Sequence, residues 1–336
     1  MVNYGNVLLD YNISKWKEIS KVWLNYSLIP TFDGVGCAVL AKLAFDNECD
    51  DELVDVEFCN YDDVNEKVEE YFNNHLDYEY DCYVTDISVS EELARKIDDY
   101  VTEPCKGTSY QLLDHHATAL ELNKFSWCKV RTEDIETDIK TCGTELFYKW
   151  LVEFGYLSKC DVLDRFVEVV RDYDTWRWAE LGEEGIICKQ VNDLLYIYGR
   201  EKFIRWCMSE INDCVFPTLC ASDELVLKIK QREIDDYIKA KNKQVIVDKL
   251  YGKTCGFVFA ERYFSELGNK LCQMHPELDF VAMINMDGIV SYRTLKDDID
   301  LGEIAKSFGG GGHPKAAGSK LTDEIQFEVI SRIFRQ

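Results

Sequence analysis

At 336 residues, with 46% hydrophobic and 13% aromatic side chains, the chain has the length for two or more domains and the composition of a folded globule. Its formal charge of −24 is what solubility asks of a surface, and it also opposes long duplex nucleic acid. A nucleotide partner should therefore be short, and held by a few local positive groups or metals. No apolar run approaches the ~20 residues that cross a bilayer. Met1-Val2-Asn3-Tyr4-Gly5 lacks the basic region and apolar core of a signal peptide, so no membrane partner is expected.

Residues 1–20 are weakly patterned and read as an N-terminal extension. From Val22 an alternating run leads to a tight turn at Asp33-Gly34 and then a helix over Val35–Phe45, where Val39, Leu40 and Leu43 recur at helical spacing. Residues 53–58 alternate as a strand, and Asn65–His75 follows as a helix. A short strand at 82–85 stops at Asp86, and Ser88 caps a helix reaching Tyr100. Tyr110–Leu113 is another short strand, ending at Asp114. Strands alternating with helices predict a doubly wound parallel sheet. Ligands of such sheets gather at the carboxyl ends of the strands. Asp33, Asp86 and Asp114-His115-His116 all fall there, and Asp172–Trp176 follows an apolar helix at Val162–Val170.

The chain is largely helical from Thr144 to Leu219. Residues 222–246 then read as a connecting helix, with apolar Leu225, Ile229, Ile234 and Ile238. A smaller α/β domain over 247–336 should carry strands near Cys255–Phe259, Phe280–Ile284 and Ile289–Thr294. Its helices are expected near Tyr263–Met274 and Leu301–Phe308. The run Gly309-Gly310-Gly311-Gly312-His313-Pro314-Lys315 comes next. Glycine lets the main chain approach an oxygen closely, and consecutive N–H groups form an anion nest. His313 can donate to a phosphate, Lys315 can add charge, and Arg293 offers a planar fork for two phosphate oxygens. The competing reading is a plain surface loop.

These segments resemble a known family. Phe32–Ala41, Val84–Ser88, Leu112–His116 and Tyr173–Trp176 resemble, in order, the four motifs of the DHH phosphoesterase superfamily. Ser291–Thr294 and Gly309–Gly318 resemble the two signatures of its C-terminal DHH-associated domain. The six together span residues 22–320, and the Asp33–Cys37 form of the first motif is similar to that of B-type oligoribonucleases (nanoRNases). The resemblance implies a DHH catalytic domain over 21–221 and a substrate-binding domain over 247–336. It implies hydrolysis of phosphodiester bonds in short RNA or small, including cyclic, nucleotides by in-line attack of water. The cofactor would be Mn2+ or Mg2+, as one or two ions. Asp86 would bridge two ions, with Asp33, His115 and Asp174 completing one of them. Asp114 would orient His115, and His116 would contact the phosphate or support the loop. The phosphate of the substrate would lie on Arg293, Gly310, Gly311, Gly312 and His313, and a homodimer is compatible with the family.

One departure stands out. Where the family's first motif normally supplies metal ligands, this chain has Ile29 and Thr31. Three outcomes stay open: one ion suffices, a residue such as Asp10 fills in, or the protein binds nucleotides without chemistry. The intact remainder favours retained hydrolysis. The fourteen cysteines are scattered without a Cys-x-x-Cys pair, and several, such as Cys37 and Cys207, sit in apolar runs. That reads as reduced thiols in a cytoplasm. Trp176 and Trp178 read as core, or as a ring on which a base stacks. His75 and His275 lie outside every motif and read as surface or structural residues.

Overall fold

The computed structural model describes residues 20–25, 31–45, 54–74, 81–102, 109–135 and 137–334. It comprises two compact units, Met1–Glu224 and Leu225–Gln336. The expectations placed on residues 1–19, on Ile29 and on His75 lie outside the described residues.

In the first unit, β1 (Ser20–Asn25), β2 (Val54–Cys59), β3 (Asp81–Thr85), β4 (Ser109–Asp114) and β5 (Cys128–Val130) form one sheet in the order β2-β1-β3-β4-β5, every pair parallel. The helices between them are α1 (Phe32–Phe45), α2 (Val64–Asn74) and α3 (Glu91–Val101), with a 3-10 segment at Ala117–Lys124. Then come α4 (Gly143–Glu153), α5 (Asp161–Asp174), α6 (Glu183–Tyr198) and α7 (Arg200–Asn212). All five residues of β3 are buried, as a strand covered on both faces requires. Cys82 and Val84 join the core formed with Val68 and Phe72 of α2 and Leu93 and Ile97 of α3. Tyr83 points the other way, its ring 5.5 Å from Phe147 and 5.0 Å from Trp150 on α4. The sheet is doubly wound, and its order reverses between β1 and β3.

Two local expectations are corrected here. Asp33 and Gly34 do not form a turn: they are the first residues of α1, because Thr31 caps it, its hydroxyl accepting the Gly34 N–H at 3.0 Å. Ser90, not Ser88, caps α3, accepting the Leu93 N–H at 3.3 Å; the Ser88 hydroxyl donates to Asp114 instead.

Helix α8 (Ala221–Asn242) begins in the first unit, and within the second it places Ile234 and Ile238 against Val258, Leu267, Leu271, Val281 and Met283. The helix stops short of residue 246: Asn242 is held by His275 Nε2 at 2.7 Å, and strand pairing starts at Ile246. The strands are β6 (Ile246–Leu250), β7 (Lys253–Phe259), β8 (Phe280–Asn285), β9 (Ile289–Arg293), β10 (Gly311–His313) and β11 (Ala316–Lys320). They pair in the order β10-β11-β9-β8-β7-β6, antiparallel except for β7 with β8. Helices α9 (Phe264–Met274), α10 (Leu301–Lys306) and α11 (Asp323–Phe334) complete the unit. Along β8, Val281 and Met283 enter the core with α8 and α9, while Phe280 and Ala282 enter a second core with Leu301 and Ala305 of α10.

Part of the glycine run is paired as a strand. Gly311–His313 is a strand, paired in the register Gly311↔Gly318, Gly312↔Ala317 and His313↔Ala316. A Cβ on Gly310 would stand 2.0 Å from the Gly318 carbonyl oxygen, and Gly312 has a φ of +138°. Close pairing of two backbones thus accounts for these glycines at least as directly as an anion does.

Candidate metal centre

Four acids and two histidines meet beyond the carboxyl ends of the strands of the first sheet. β3 ends at Thr85, and Asp86 adopts a left-handed φ of 57°, which Asp tolerates better than most residues. Its N–H donates to the Leu113 carbonyl of β4 at 3.0 Å, fixing the turn. Asp86 Oδ1 then lies 3.2 Å from His115 Nε2. The same imidazole nitrogen lies 3.7 Å from Asp33 Oδ2 and 3.6 Å from Asp174 Oδ2. The ligand atoms of Asp33, His115 and Asp174 all fall within 4.8 Å of one another, as do those of Asp86, Asp114, His115 and His116.

Backbone N–H groups position the Asp33 carboxylate. Asp33 accepts the first two N–H groups of α4, from Gly143 at 2.6 Å and Thr144 at 2.7 Å, and Thr144 Oγ1 donates to the Asp33 carbonyl at 2.7 Å. A helix N-terminus suits an anion. Gly143 has to be glycine for the approach: a Cβ there would stand 2.9 Å from Asp86 Cα and 3.0 Å from Asp33 Oδ2. Asp174 is the last residue of α5, one turn beyond the helix end foreseen at Val170. Asp172 turns elsewhere, to Arg177 at 2.9 Å.

Asp114 does more for His116 than for the ring of His115. It accepts the His115 N–H at 2.7 Å, the Ser88 hydroxyl, and His116 Nδ1 at 2.7 Å. Burial works against charge on Asp114, but His116 and Ser88 outweigh it and hold the carboxyl below its ordinary value. Burial likewise opposes charge on His116, and Asp114 reverses that, raising its pKa.

Three carboxylates around one imidazole leave a negative excess even when His115 is protonated. Asp33 is wholly buried and Asp86 is 2% exposed, so water does little to disperse that charge. Burial, and then Asp33, drive the Asp86 pKa well above the carboxylate range. Asp174 is pushed to about 6, first by burial and then by Asp33, against the pull of His115. For His115, burial favours the neutral form, but Asp174, Asp86 and Asp33 prevail and raise it well above 6.5. A divalent cation would relieve all three strains. Hard carboxylates plus one imidazole suit Mn2+ or Mg2+, so the residues present fit such an ion.

Thr31 has no lone role as a ligand. Its hydroxyl accepts from the Gly34 N–H and donates to Asp86 Oδ2 at 3.2 Å, so both its functions are in use. Sequence reasoning missed this bond, the α4 N-terminus, and Tyr61, whose ring stands edge-on to His116 at 6.1 Å.

The phosphate-binding candidates belong to the second unit. Arg293 donates to the Tyr292 carbonyl at 2.8 Å and to Ser265 Oγ at 3.2 Å. Burial lowers its pKa. Lys315 is paired with exposed Asp297 at 2.7 Å. Gly310, Gly311, Gly312 and His313 lie on the β10 side of the hairpin with β11. His275 bonds Asn242 and Glu277, a structural role. Trp176 and Trp178 are half-buried, 5.1 Å apart, with Trp176 left-handed at φ 64°. No helix among the described residues is long and apolar enough to cross a membrane.

The DHHA1 domain family matches residues 265–336. Oligoribonuclease NrnB of Bacillus subtilis (strain 168) is 33% identical over 309 residues, covering 90% of this chain and 74% of the relative. A 3',5'-cyclic-nucleotide phosphodiesterase of Helicobacter pylori (strain ATCC 700392 / 26695) is 24% identical over 328 residues, covering 86% of this chain and 90% of the relative. A solved structure from Vibrio cholerae, described as the pGpG-specific phosphodiesterase PggH, is 13% identical and covers 94% of this chain and 97% of its own, with a TM-score of 0.49. Identity of one residue in three across nine-tenths of the chain, with the DHHA1 match at the C-terminal end, shows the lineage. The chain belongs to the DHH phosphoesterase superfamily, as a hydrolase of its oligoribonuclease branch.

Proposed function

We propose that the protein is a metal-dependent phosphodiesterase that cleaves short oligoribonucleotides or small, including cyclic, nucleotides. The observation that carries this is the convergence of Asp33, Asp86 and Asp174 on His115 Nε2, at 3.2–3.7 Å. The names of the two curated relatives support the substrate class.

Manganese or magnesium, as one or two ions, would supply Lewis-acid activation of water and neutralise phosphoryl charge. Asp33, Asp86, His115 and Asp174 would hold it. Asp33 is kept in place by α4 and Asp86 by its β4 hydrogen bond. His116, whose charged form is favoured by its Asp114 partner, is suited to meet a phosphate oxygen or to give a proton to the leaving oxygen. We assign this chemistry to residues 21–221, and substrate holding to 247–336. There Arg293 keeps three of its five N–H donors for a phosphate, beside Gly310, Gly311, Gly312 and His313. Cys37, Cys142 and Cys207 are buried free thiols, which supports a reducing compartment such as the cytoplasm.

One observation favours a second reading, in which the protein sequesters a nucleotide without cleaving it. Thr31 is committed to Asp86 and to the helix cap, so the first motif supplies fewer ligands than the family pattern. Turnover separates the two. The dinucleotide pApA, incubated with the protein and Mn2+, should yield mononucleotide, and a chelator should stop it. Binding that survives chelation, with no product from dinucleotides, cyclic dinucleotides or 3'-phosphoadenosine phosphate, would leave only the sequestering role.

A further inference from the structure

β2 ends at Cys59, and the turn that follows carries Tyr61 at the same sheet edge as Asp86 and His115. The turn is firmly tied. Asp63 Oδ1 accepts the Asn60 N–H at 2.6 Å, and the Asn60 carbonyl accepts the Val64 N–H at 2.9 Å as α2 begins. Tyr61 thus projects from a fixed base. The residue is 58% exposed, yet its ring meets that of His116 at a right angle. A phenol is neutral at neutral pH, and crowding of the ring against the site, then the charges of Asp114, Asp86 and Asp174, push its ionisation further upward. Among the described residues its hydroxyl makes no hydrogen bond. A neutral donor therefore stands at the rim of the acidic cluster, unused by the fold.

We propose that Tyr61 is a catalytic residue whose hydroxyl donates a hydrogen bond to a non-bridging oxygen of the scissile phosphate. The assignment rests on the phosphodiesterase reading. A phosphate, rather than a base, fits this position. The hydroxyl lies in the field of three carboxylates, where an anion is stable only beside the cation that neutralises them. Base stacking would instead need the ring face alone. As negative charge grows on the phosphoryl oxygens, a donor fixed beforehand stabilises the transition state more than the ground state.

The test compares Tyr61→Phe and Tyr61→Ala in Mn2+-dependent hydrolysis of pApA. Tyr61→Phe should lower kcat by roughly 10- to 100-fold, the worth of one hydrogen bond to a charged group. KM and the Mn2+ dissociation constant should stay within about twofold, since the ring and its His116 contact remain. On phosphorothioate diastereomers of the substrate, the wild type should prefer one isomer and Tyr61→Phe should lose that preference. A Tyr61→Phe enzyme with wild-type kcat, alongside a Tyr61→Ala enzyme with raised KM, would mean that the ring stacks a base, and would overturn the assignment. Parallel loss of Mn2+ affinity in Tyr61→Phe would also overturn it, by making Tyr61 a support for His116. An inactive wild type would remove the phosphodiesterase reading itself, and this assignment with it.

Discussion

His115 carries the tightest constraint in the site, since one imidazole nitrogen faces three carboxylates. Those acids raise its pKa well above 6.5, which favours its protonated form. A ligating imidazole must lose that proton. The sign is therefore fixed: cation binding releases a proton, and its affinity falls as pH falls through the raised value. Calorimetric titration with Mn2+ at several pH values should show a loss of up to about tenfold per pH unit below that value. Without metal the same shift acts in reverse on stability. The His115 contribution is complete below 6.5 and fades as pH rises through the folded value. Asp86→Asn should weaken Mn2+ binding by about a hundredfold or more, beyond what outer partners cost, and remove turnover. Mn2+ affinity that is the same at pH 5.5 and 8 would contradict the role given to His115.

Among the elements, α4 is the buttress of the centre. Gly143→Ala would drive a Cβ to within 2.9 Å of the Asp86 backbone. The helix has to retreat, at a cost of about 1–3 kcal/mol, and Asp33 loses its N–H partners. Thermal melting should show the loss, and Mn2+ titration should show weaker binding. The first turn of α8, which lies in the first unit, offers an acid-sensitive contact outside the site. Burial opposes charge on Asp223, but Tyr198 and Cys220 more than offset it and hold the carboxyl below 3.8. A depressed acid stabilises the fold above its unfolded value and ceases to as pH falls through the folded one. Asp223→Ala should cost about 1 kcal/mol at pH 7, as a lost cap does. The difference in melting temperature from wild type should vanish in strong acid.

Much of this was legible in sequence, and for a physical reason. A buried parallel strand is an apolar run, so its end is marked where the run meets an acid, as at Asp86 and Asp114. Helical period marked Ile234 and Ile238 of α8. Less visible was anything made by backbone. The bonds from Gly143 and Thr144 to Asp33 join residues 110 and 111 apart, and every non-proline residue carries an N–H. Gly309–Gly312 suits a nest and a hairpin equally, and the pairing of Gly311–His313 with Ala316–Gly318 is set by residues outside the run. Tyr61 escaped notice because a turn tyrosine has no periodicity, although the strand-end rule that found Asp86 applies equally to the end of β2.

For the whole molecule, the charge of −24 disfavours long polyanions as substrates. Each added phosphate increases repulsion from an acidic surface, and salt screens it. At low ionic strength the protein should cleave pApA about tenfold or more faster than a 20-residue RNA, with the gap narrowing as salt is added. Affinity for long RNA that falls steeply with salt would reveal a basic track instead. The most direct measurement of the central claim is an anomalous difference map at the manganese edge from crystals soaked in Mn2+. The account predicts a peak about 2 Å from the donor atoms of Asp33, Asp86, His115 and Asp174. A map with no peak among those four side chains, at a Mn2+ concentration that supports turnover, would contradict it.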